Sequence, residues 1–182
     1  MFTKGRQYYS KKDYLLRAIW CVVNTCLFRY SPRLMYGWRN QILRCMGAKI
    51  GKKVRIFPST RITFPWKLEV GDHSVISWNV TIYNLGKVTI GSGTIISQNS
   101  HICAGTHDHS DILFTLLMPP ILIGSMVWIA ADAFIGPNIT ISDRALIGAR
   151  AVVTKNVDEN RIVAGNPARQ LGYRFPLNQP VA

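Results

Sequence analysis

The sequence predicts an all-β solenoid, and three observations indicate that fold class. Isoleucine is concentrated in one part of the 182-residue chain, since 18 of its 20 isoleucines lie between positions 50 and 162. Within that part, an aliphatic residue recurs every six positions. Six is neither the 3.6-residue period of an amphipathic helix nor the two-residue period of a flat sheet. A coil of three short strands, each with one inward anchor and one corner, explains the spacing.

The six-residue register can be followed through fifteen aliphatic anchors, and its interruptions predict where the chain leaves the coil. The register slips by two residues after Ile62 and again after Ile82, and 15 extra residues follow Ile102. Because insertions must leave a coil at its corners, residues 108–122 are predicted to form a projecting loop. The repeat region is assigned to residues 48–169, followed by a tail at 170–182. The anchors are Ile50, Ile56, Ile62, Val70, Ile76, Ile82, Ile90, Ile96, Ile102, Ile123, Ile129, Ile135, Ile141, Ile147 and Val153.

Residues 1–47 differ in composition and are predicted to be a basic, amphipathic helical segment. The uncharged run at 18–28 has 11 residues, too few for a helix that spans a bilayer, which needs about 20. Ser31 and Pro32 indicate the start of a second helix and Gly47 its end. We expect this helix to cover the open end of the solenoid, because stacked repeats need a terminal cap. Its predicted apolar face consists of Leu34, Met35, Trp38, Ile42, Cys45 and Met46, with Arg33 and Arg44 opposite.

The net charge of +13 is concentrated at one end of the chain. Residues 1–61 contain 14 of the 22 lysines and arginines but one acidic residue, Asp13. The segment resembles no nucleic-acid-binding module, so no nucleic-acid partner is predicted. Two interpretations stay open: the arm makes one end of the fold soluble, or it contacts an anionic membrane surface. The candidate residues for membrane contact are Lys4, Arg6, Lys11, Lys12 and Arg17, with Leu15, Leu16, Ile19 and Trp20.

The cysteines and the N-terminus bear on location. The four cysteines show no CxxC spacing, and no signal peptide with a small-residue cleavage site precedes them. We therefore expect a reduced, cytoplasmic protein, with peripheral contact at the inner face of the cell membrane under the second interpretation of the arm.

Several local motifs add a family resemblance to the repeat pattern. They are WNVTI at 78–82, GTH at 105–107, IGSMVWI at 123–129 and AGNPAR at 164–169. With these motifs, residues 50–169 resemble the hexapeptide-repeat acyltransferases, and in particular the sugar O-acetyltransferases. The basic arm, WKL at 66–68, SQNS at 97–100 and HDH at 107–109 resemble the colanic-acid type exopolysaccharide biosynthesis acetyltransferases.

The resemblance implies a fold, an activity and an assembly. The fold would be a left-handed parallel β-helix, assembled as a homotrimer with acetyl-CoA bound between neighbouring prisms. The activity would be acetyl-CoA-dependent O-acetylation of a sugar in an exopolysaccharide or in its lipid-linked or nucleotide-linked precursor. Acetyl-CoA would serve as co-substrate, and no metal is expected.

His107 is the candidate general base. Acetyl transfer to a hydroxyl needs a group that removes the hydroxyl proton, and imidazole has a pKa near the working pH. His107 also ends the last hexad before the excursion, beside the predicted loop. Asp108 and His109 follow it directly, and either side chain could orient the imidazole.

The resemblance assigns the remaining candidate residues. Asn79 occupies a position that contacts the acceptor sugar in the family, where its amide can donate to and accept from hydroxyls; a turn role is the alternative. Trp78 would offer an apolar face to the sugar ring, and His109 is also placed among the acceptor-binding residues. Residues expected to bind acetyl-CoA are Trp128, beside the pantetheine arm, Ala131 and Ala149, which allow its close approach, and Lys155 and Arg169, at the phosphates.

One position departs from the family pattern, and two other functions remain alternatives. Gly172 stands where related enzymes often carry a basic residue, and Arg174 follows two positions later, so the phosphate contacts are left open. A γ-type carbonic anhydrase shares the fold and binds zinc through three histidines; the supply here is His73, His101, His107 and His109. The second alternative is a non-catalytic β-helix scaffold.

Overall fold

A computed structural model describes residues 9–176 and contains a three-faced parallel β-helix. Strands are numbered in chain order. Face 1 consists of β1 (Lys49–Ile50), β4 (Leu68–Val70), β7 (Val88–Ile90), β12 (Ile121–Ile123) and β15 (Thr140–Ile141). Face 2 begins with β2 (Arg55–Ile56), β5 (Val75–Ile76), β8 (Ile95–Ile96), β13 (Trp128–Ile129) and β16 (Leu146–Ile147), and ends with β18 (Arg161–Ala164) and β19 (Arg169–Tyr173). Face 3 consists of β3 (Arg61–Ile62), β6 (Thr81–Tyr83), β9 (His101–Cys103), β14 (Phe134–Ile135) and β17 (Val152–Val153).

The predicted anchors form the core of the solenoid. All fifteen are buried, with no more than 8% of any anchor exposed. Equivalent anchors pair in register from coil to coil; on face 2, Ile76 pairs with Ile56 on one side and with Ile96 on the other. The predicted β-solenoid of hexapeptide repeats is therefore confirmed. The excursion leaves face 3 as an antiparallel hairpin of β10 (Thr106–His107) and β11 (Leu116–Leu117).

The corners repeat one backbone conformation. Asn79, Asn99, Asp132 and Arg150 follow one another on the corner between faces 2 and 3, and each has a φ between 54° and 61°. The backbone amides of the last three donate to a carbonyl of the preceding coil. Asparagine and aspartate adopt this left-handed conformation more readily than most residues. The corner series thus places the side chains at positions 79, 99, 132 and 150 on the outside of the prism.

Two α-helices, joined by a π-helix and a short loop, precede the first coil. Helix α1 (Lys11–Val23) starts with a capping box between Ser10 and Asp13 and continues as a π-helix (Asn24–Phe28). Helix α2 spans Tyr36–Cys45, and a 3₁₀ turn follows later at Pro65–Lys67. No helix within residues 9–176 is long and apolar enough to cross a bilayer.

The predicted start and apolar face of the second helix are wrong. The helix begins at Tyr36 because Ser31 does not cap it: the Ser31 hydroxyl donates to Phe28 O and accepts from the Arg39 guanidinium. Leu34 and Trp38 are exposed. The residues buried on this helix are Arg39, Asn40, Ile42 and Leu43. The predicted end at Gly47 agrees with the structure, where that glycine has a φ of 89°.

The physical reason for the polar burial is the open end of the first coil. Carbonyl groups of a terminal coil have no earlier coil to pair with, and buried unpaired carbonyls are costly. Side chains from the helices donate to four of them: Trp20 to Ile62 O, Arg39 to Ile56 O, Asn40 to Val54 O and Arg44 to Ile50 O, at 2.7 to 3.0 Å. The second helix therefore contacts the open end through hydrogen-bond donors as well as through its apolar residues.

Candidate active site

His107 lies where the projecting hairpin leaves the prism. It is the last residue of β10 and pairs with Leu116 of β11, and its side chain is exposed. The backbone of His107 is thus held by strand pairing, while its imidazole ring is open to solvent. A hydroxyl group of an acceptor can reach such a ring without displacing protein atoms.

A backbone carbonyl orients the imidazole. Nδ1 of His107 lies 2.6 Å from the carbonyl oxygen of Phe114. A carbonyl can only accept a hydrogen bond, so Nδ1 carries the proton in this contact. In the neutral ring, Nε2 then has a free lone pair and can accept a proton.

The loop is folded so that this carbonyl faces His107. Phe114 adopts a φ of 47°, which is unusual for an aromatic residue, and its amide donates to Asp111 O at 2.8 Å. The Asp111 carboxylate accepts from the Leu113 amide at 3.0 Å and from the Thr115 hydroxyl. A turn that begins at Asp111 therefore sets the direction of the Phe114 carbonyl.

The two residues after His107 are placed differently. The Asp108 carboxylate accepts from the Ser110 hydroxyl at 2.6 Å and from the Ser110 amide at 3.0 Å. These hydrogen bonds lower the pKa of Asp108. The group at His107 Nδ1 is consequently the Phe114 carbonyl, and Asp108 contributes to the loop. His109 is exposed.

The two candidate sugar-binding residues of the second coil lie on the outer corner. Asn79 is exposed with a φ of 54°. Its backbone amide donates to the Ser59 hydroxyl at 3.0 Å. The corner conformation by itself favours asparagine at this position. The Trp78 ring packs on Phe57, with centroids 4.5 Å apart, and the Arg33 guanidinium carbon lies 4.8 Å from its centroid. Trp78 is 40% exposed, so part of its surface is free for a ligand.

The candidate acetyl-CoA residues lie on the later coils. Trp128 is exposed on face 2 and its indole N–H donates to the Ser97 hydroxyl at 3.1 Å. Ala131 and Ala149 occupy the same corner position on successive coils, where the Arg150 amide donates to Ala131 O. The structure therefore stacks the two small residues as a ligand that follows this corner would require.

Lys155 and Arg169 line one depression at the C-terminal end of the prism. Both side chains are exposed. Arg174 points elsewhere: its Nη1 donates to Met126 O at 2.6 Å, and burial lowers its pKa. The depression thus contains Lys155 and Arg169, the two cations predicted to bind the phosphates. Arg174 instead makes a hydrogen bond at a corner of the prism.

The histidines of the zinc alternative are distributed over the molecule. His73 is an exposed corner residue, and His101 lies on face 3 between the rings of Tyr83 and Phe134, with centroids at 6.5 and 5.4 Å. His107 and His109 belong to the hairpin. Between residues 9 and 176, no three His, Cys, Asp or Glu side chains form a group that could hold a metal ion.

The Phe114 carbonyl and Asp111 were not among the residues predicted from the sequence. Every residue has a carbonyl, so its role depends on loop conformation and leaves no mark in residue type. Asp111 carried a weak signal, since aspartate commonly forms a local turn through its own side chain.

Comparisons with known proteins agree with the fold. A putative colanic acid biosynthesis acetyltransferase of Escherichia coli K12 is 45% identical over 150 residues, which are 82% of this chain and 82% of that protein. The galactoside O-acetyltransferase of the same strain is 30% identical over 134 residues, 72% of this chain and 66% of that protein. No family model matches the sequence.

Solved structures give the same result. A galactoside acetyltransferase in complex with coenzyme A has a TM-score of 0.83 at 25% identity, covering 91% of this chain and 84% of that one. A maltose O-acetyltransferase from Clostridium difficile has a TM-score of 0.82 at 26% identity, covering 92% and 90%. The chain belongs to the hexapeptide-repeat acetyltransferases and is an acyltransferase with acetyl-CoA as its co-substrate.

Proposed function

We propose that this enzyme O-acetylates a sugar of an exopolysaccharide, or of its lipid-linked or nucleotide-linked precursor, with His107 as the general base. The observation that carries the proposal is the 2.6 Å contact between His107 Nδ1 and Phe114 O. It leaves Nε2 as the proton acceptor on an exposed ring beside the loop. The similarity to a putative colanic acid biosynthesis acetyltransferase supports an exopolysaccharide sugar as the acceptor.

The reaction needs one proton transfer in each direction. Nε2 of His107 takes the proton of the acceptor hydroxyl while that oxygen attacks the thioester carbonyl carbon. The C–S bond then breaks, and the sulfur leaves with the proton held by the imidazolium. The products are the acetylated sugar and free coenzyme A, and His107 returns to its neutral state.

The remaining candidate residues have positions compatible with these roles. Asn79, Trp78 and His109 are assigned to the acceptor; each has exposed surface. Trp128, Ala131 and Ala149 are assigned to the pantetheine arm, and Lys155 and Arg169 to the phosphates. This order runs acetyl-CoA along the later coils toward the C-terminal depression.

We also propose a homotrimer and a cytoplasmic location. A trimer would bring a neighbouring prism against the exposed His107 hairpin and would supply further walls for the site. All four cysteines are free thiols, as is usual for proteins of a reducing compartment.

The proposed base is tested by the variant His107→Ala. With acetyl-CoA and a panel of nucleotide sugars and lipid-linked oligosaccharides, turnover measured by thiol release should fall by roughly 10² to 10⁴. The Kd for acetyl-CoA should stay as in the wild type, because the base contacts the acceptor hydroxyl and not the nucleotide.

His73→Ala is the matched control, since His73 is also exposed but lies on a corner of the second coil. This variant should keep wild-type turnover. If His107→Ala retains more than about a tenth of wild-type turnover with the best acceptor, His107 is not the base.

A further inference from the structure

Helix α1 presents an apolar stripe to solvent, on the side that faces away from the protein. At 100° per residue, Leu15, Ala18, Ile19 and Val22 fall within about 100° of the helix circumference. Leu15, Ile19 and Val22 are 62%, 43% and 63% exposed. We call these four residues the outer stripe.

The orientation of the helix is fixed by its opposite side. Trp20 is 5% exposed, its indole N–H donates to Ile62 O at 2.8 Å, and its ring packs on Phe28 with centroids 5.7 Å apart. Arg17 is held by rings as well, with its guanidinium carbon 5.1 Å from the Tyr9 centroid and 5.4 Å from that of Phe64. The side of α1 that would normally be polar therefore carries the outer stripe.

Cations accompany the stripe, and acidic residues do not. Lys11 and Lys12 are exposed on the first turn, within or beside the same arc. Asp13 is the one acidic residue among residues 1–61, lies on the other side of the helix, and is engaged by Ser10 in the capping box. An anionic surface would thus meet positive charge without meeting a carboxylate.

Exposed aromatic and basic residues also lie after α1 in the chain and on α2. The Trp38 indole N–H donates to Leu27 O at 3.1 Å, and both side chains are more than 40% exposed. Tyr30 is 78% exposed, and Arg29 beside it is exposed too. Tryptophan and tyrosine next to cations are typical of surfaces at the membrane–water interface.

We infer that the outer stripe and its flanking lysines bind the surface of an anionic phospholipid bilayer. Helix α1 has 13 residues and is about 20 Å long, so it can lie in the interface but cannot span the hydrocarbon core of about 30 Å. A second copy of this chain that met the stripe through its own α1 would offer these lysines no carboxylate, because Asp13 lies on the other side of that helix. The inference concerns side chains that the proposed reaction does not use, and it does not depend on that reaction.

The structure revises the residues expected to make this contact. Trp20 and Arg17 were predicted to participate, but both are engaged within the protein. Val22 and Ala18 take their place. Lys4 and Arg6, also predicted, lie outside the described residues.

The test is co-sedimentation of the full chain with vesicles of phosphatidylglycerol and phosphatidylcholine, compared with vesicles of phosphatidylcholine alone. The wild type should bind the anionic vesicles, and added salt should weaken binding. The triple variant Leu15→Ser, Ile19→Ser, Val22→Ser should bind about tenfold more weakly or worse. The double variant Lys11→Glu, Lys12→Glu should also bind more weakly, since each cation near the anionic surface contributes to the free energy of binding.

Lys52→Glu with Lys53→Glu is the matched control, because it makes the same change in net charge on a corner of the first coil. This control variant should retain most of the wild-type binding to anionic vesicles, because the proposed binding site lies on α1. Circular dichroism and turnover on a soluble acceptor should be unchanged in all three variants.

Three outcomes would overturn the inference. One is equal binding by the wild type and the stripe variant, and another is no binding by the wild type to either vesicle. The third is a stripe variant whose oligomeric mass in light scattering differs from that of the wild type, which would make the stripe an interface between copies.

Discussion

The Phe114 carbonyl decides which nitrogen of His107 would take the proton in the proposed reaction. A histidine on a solvent-exposed loop samples both tautomers and several ring orientations. The 2.6 Å contact at Nδ1 selects one tautomer, in which Nε2 is the nitrogen with the free lone pair. A base that is already oriented avoids the loss of rate caused by a misplaced reacting group.

Asp111 is expected to act on turnover through this carbonyl. Its carboxylate accepts from the Leu113 amide and the Thr115 hydroxyl, and so holds the turn that contains Phe114. Asp111→Ala should lower kcat by about tenfold or more, because the carbonyl loses its direction. The Kd for acetyl-CoA should not change. Steady-state kinetics and calorimetric titration with acetyl-CoA measure the two quantities.

Two further variants separate positioning from a general effect on the loop. Asp111→Asn should restore most of the kcat, since its amide oxygen can accept from the Leu113 amide while its NH₂ group donates to the Thr115 hydroxyl, which can also accept. Ser110→Ala removes the hydroxyl contact to Asp108 on the same loop and should leave kcat near that of the wild type. Equal losses in Ser110→Ala and Asp111→Ala would show that the loop as a whole, and not the Phe114 carbonyl, matters.

The histidine could be predicted from the sequence, but its partner could not. An ionisable side chain next to an insertion is visible in a residue string, whereas a backbone carbonyl is present at every position. Which carbonyl faces His107 depends on the φ of 47° at Phe114, and this follows from the folded loop. The same reasoning applies to Asn79, where residue type alone does not separate a corner asparagine from a sugar ligand.

At the scale of elements, the strands were more predictable than the helices. Fifteen of the strands each contribute one anchor to the core, so burial imposes a six-residue period that a sequence displays directly. The second helix is shaped by the edge carbonyls of the first coil, which attract Arg39 and Asn40 inward against their usual preference for solvent. Such contacts leave no periodic pattern in the sequence, and the predicted apolar face of the second helix was wrong for that reason.

Face 3 contains a histidine whose burial should make stability depend on pH. His101 lies between Tyr83 and Phe134, and its Nε2 is buried without a hydrogen-bond partner. Burial disfavours the charged ring and lowers the pKa of His101 from 6.5. The unfolded chain therefore binds a proton near pH 6.5 that the folded chain does not bind until a lower pH.

The sign of the effect follows from this difference in bound protons. The contribution of neutral His101 to stability is present above about pH 6.5 and is lost as the pH falls below that value. His101→Phe should flatten this part of the dependence, because phenylalanine fits between the same rings and carries no titrating group. Urea unfolding of both proteins across this range provides the measurement.

His73→Phe is the comparison for this effect, since His73 is exposed. Its unfolding midpoint should follow the wild-type dependence on pH. If His101→Phe follows it equally closely, burial of His101 is not the source of the acid sensitivity.

At the scale of the whole molecule, the tip of the hairpin exposes apolar side chains that nothing within one chain covers among the described residues. Ile112, Leu113 and Phe114 are 91%, 56% and 62% exposed in succession, directly beside the proposed base. Exposed apolar residues of this kind commonly mark an interaction surface. A neighbouring prism in the proposed trimer would cover them and would also enclose His107.

We therefore expect the tip to support both assembly and activity. Light scattering at micromolar concentration should give the wild type three times the 20.5 kDa mass of one chain. Ile112→Ser with Leu113→Ser should shift the mass toward the monomer, because the apolar area that drives association is removed. Turnover should fall together with the trimer fraction and recover at higher protein concentration. The stripe variant on α1 is the control and should remain trimeric, since the stripe is assigned to a bilayer surface and not to a contact between prisms. A wild-type monomer with full activity, or a tip variant that loses turnover while it stays trimeric, would contradict an active site shared between prisms.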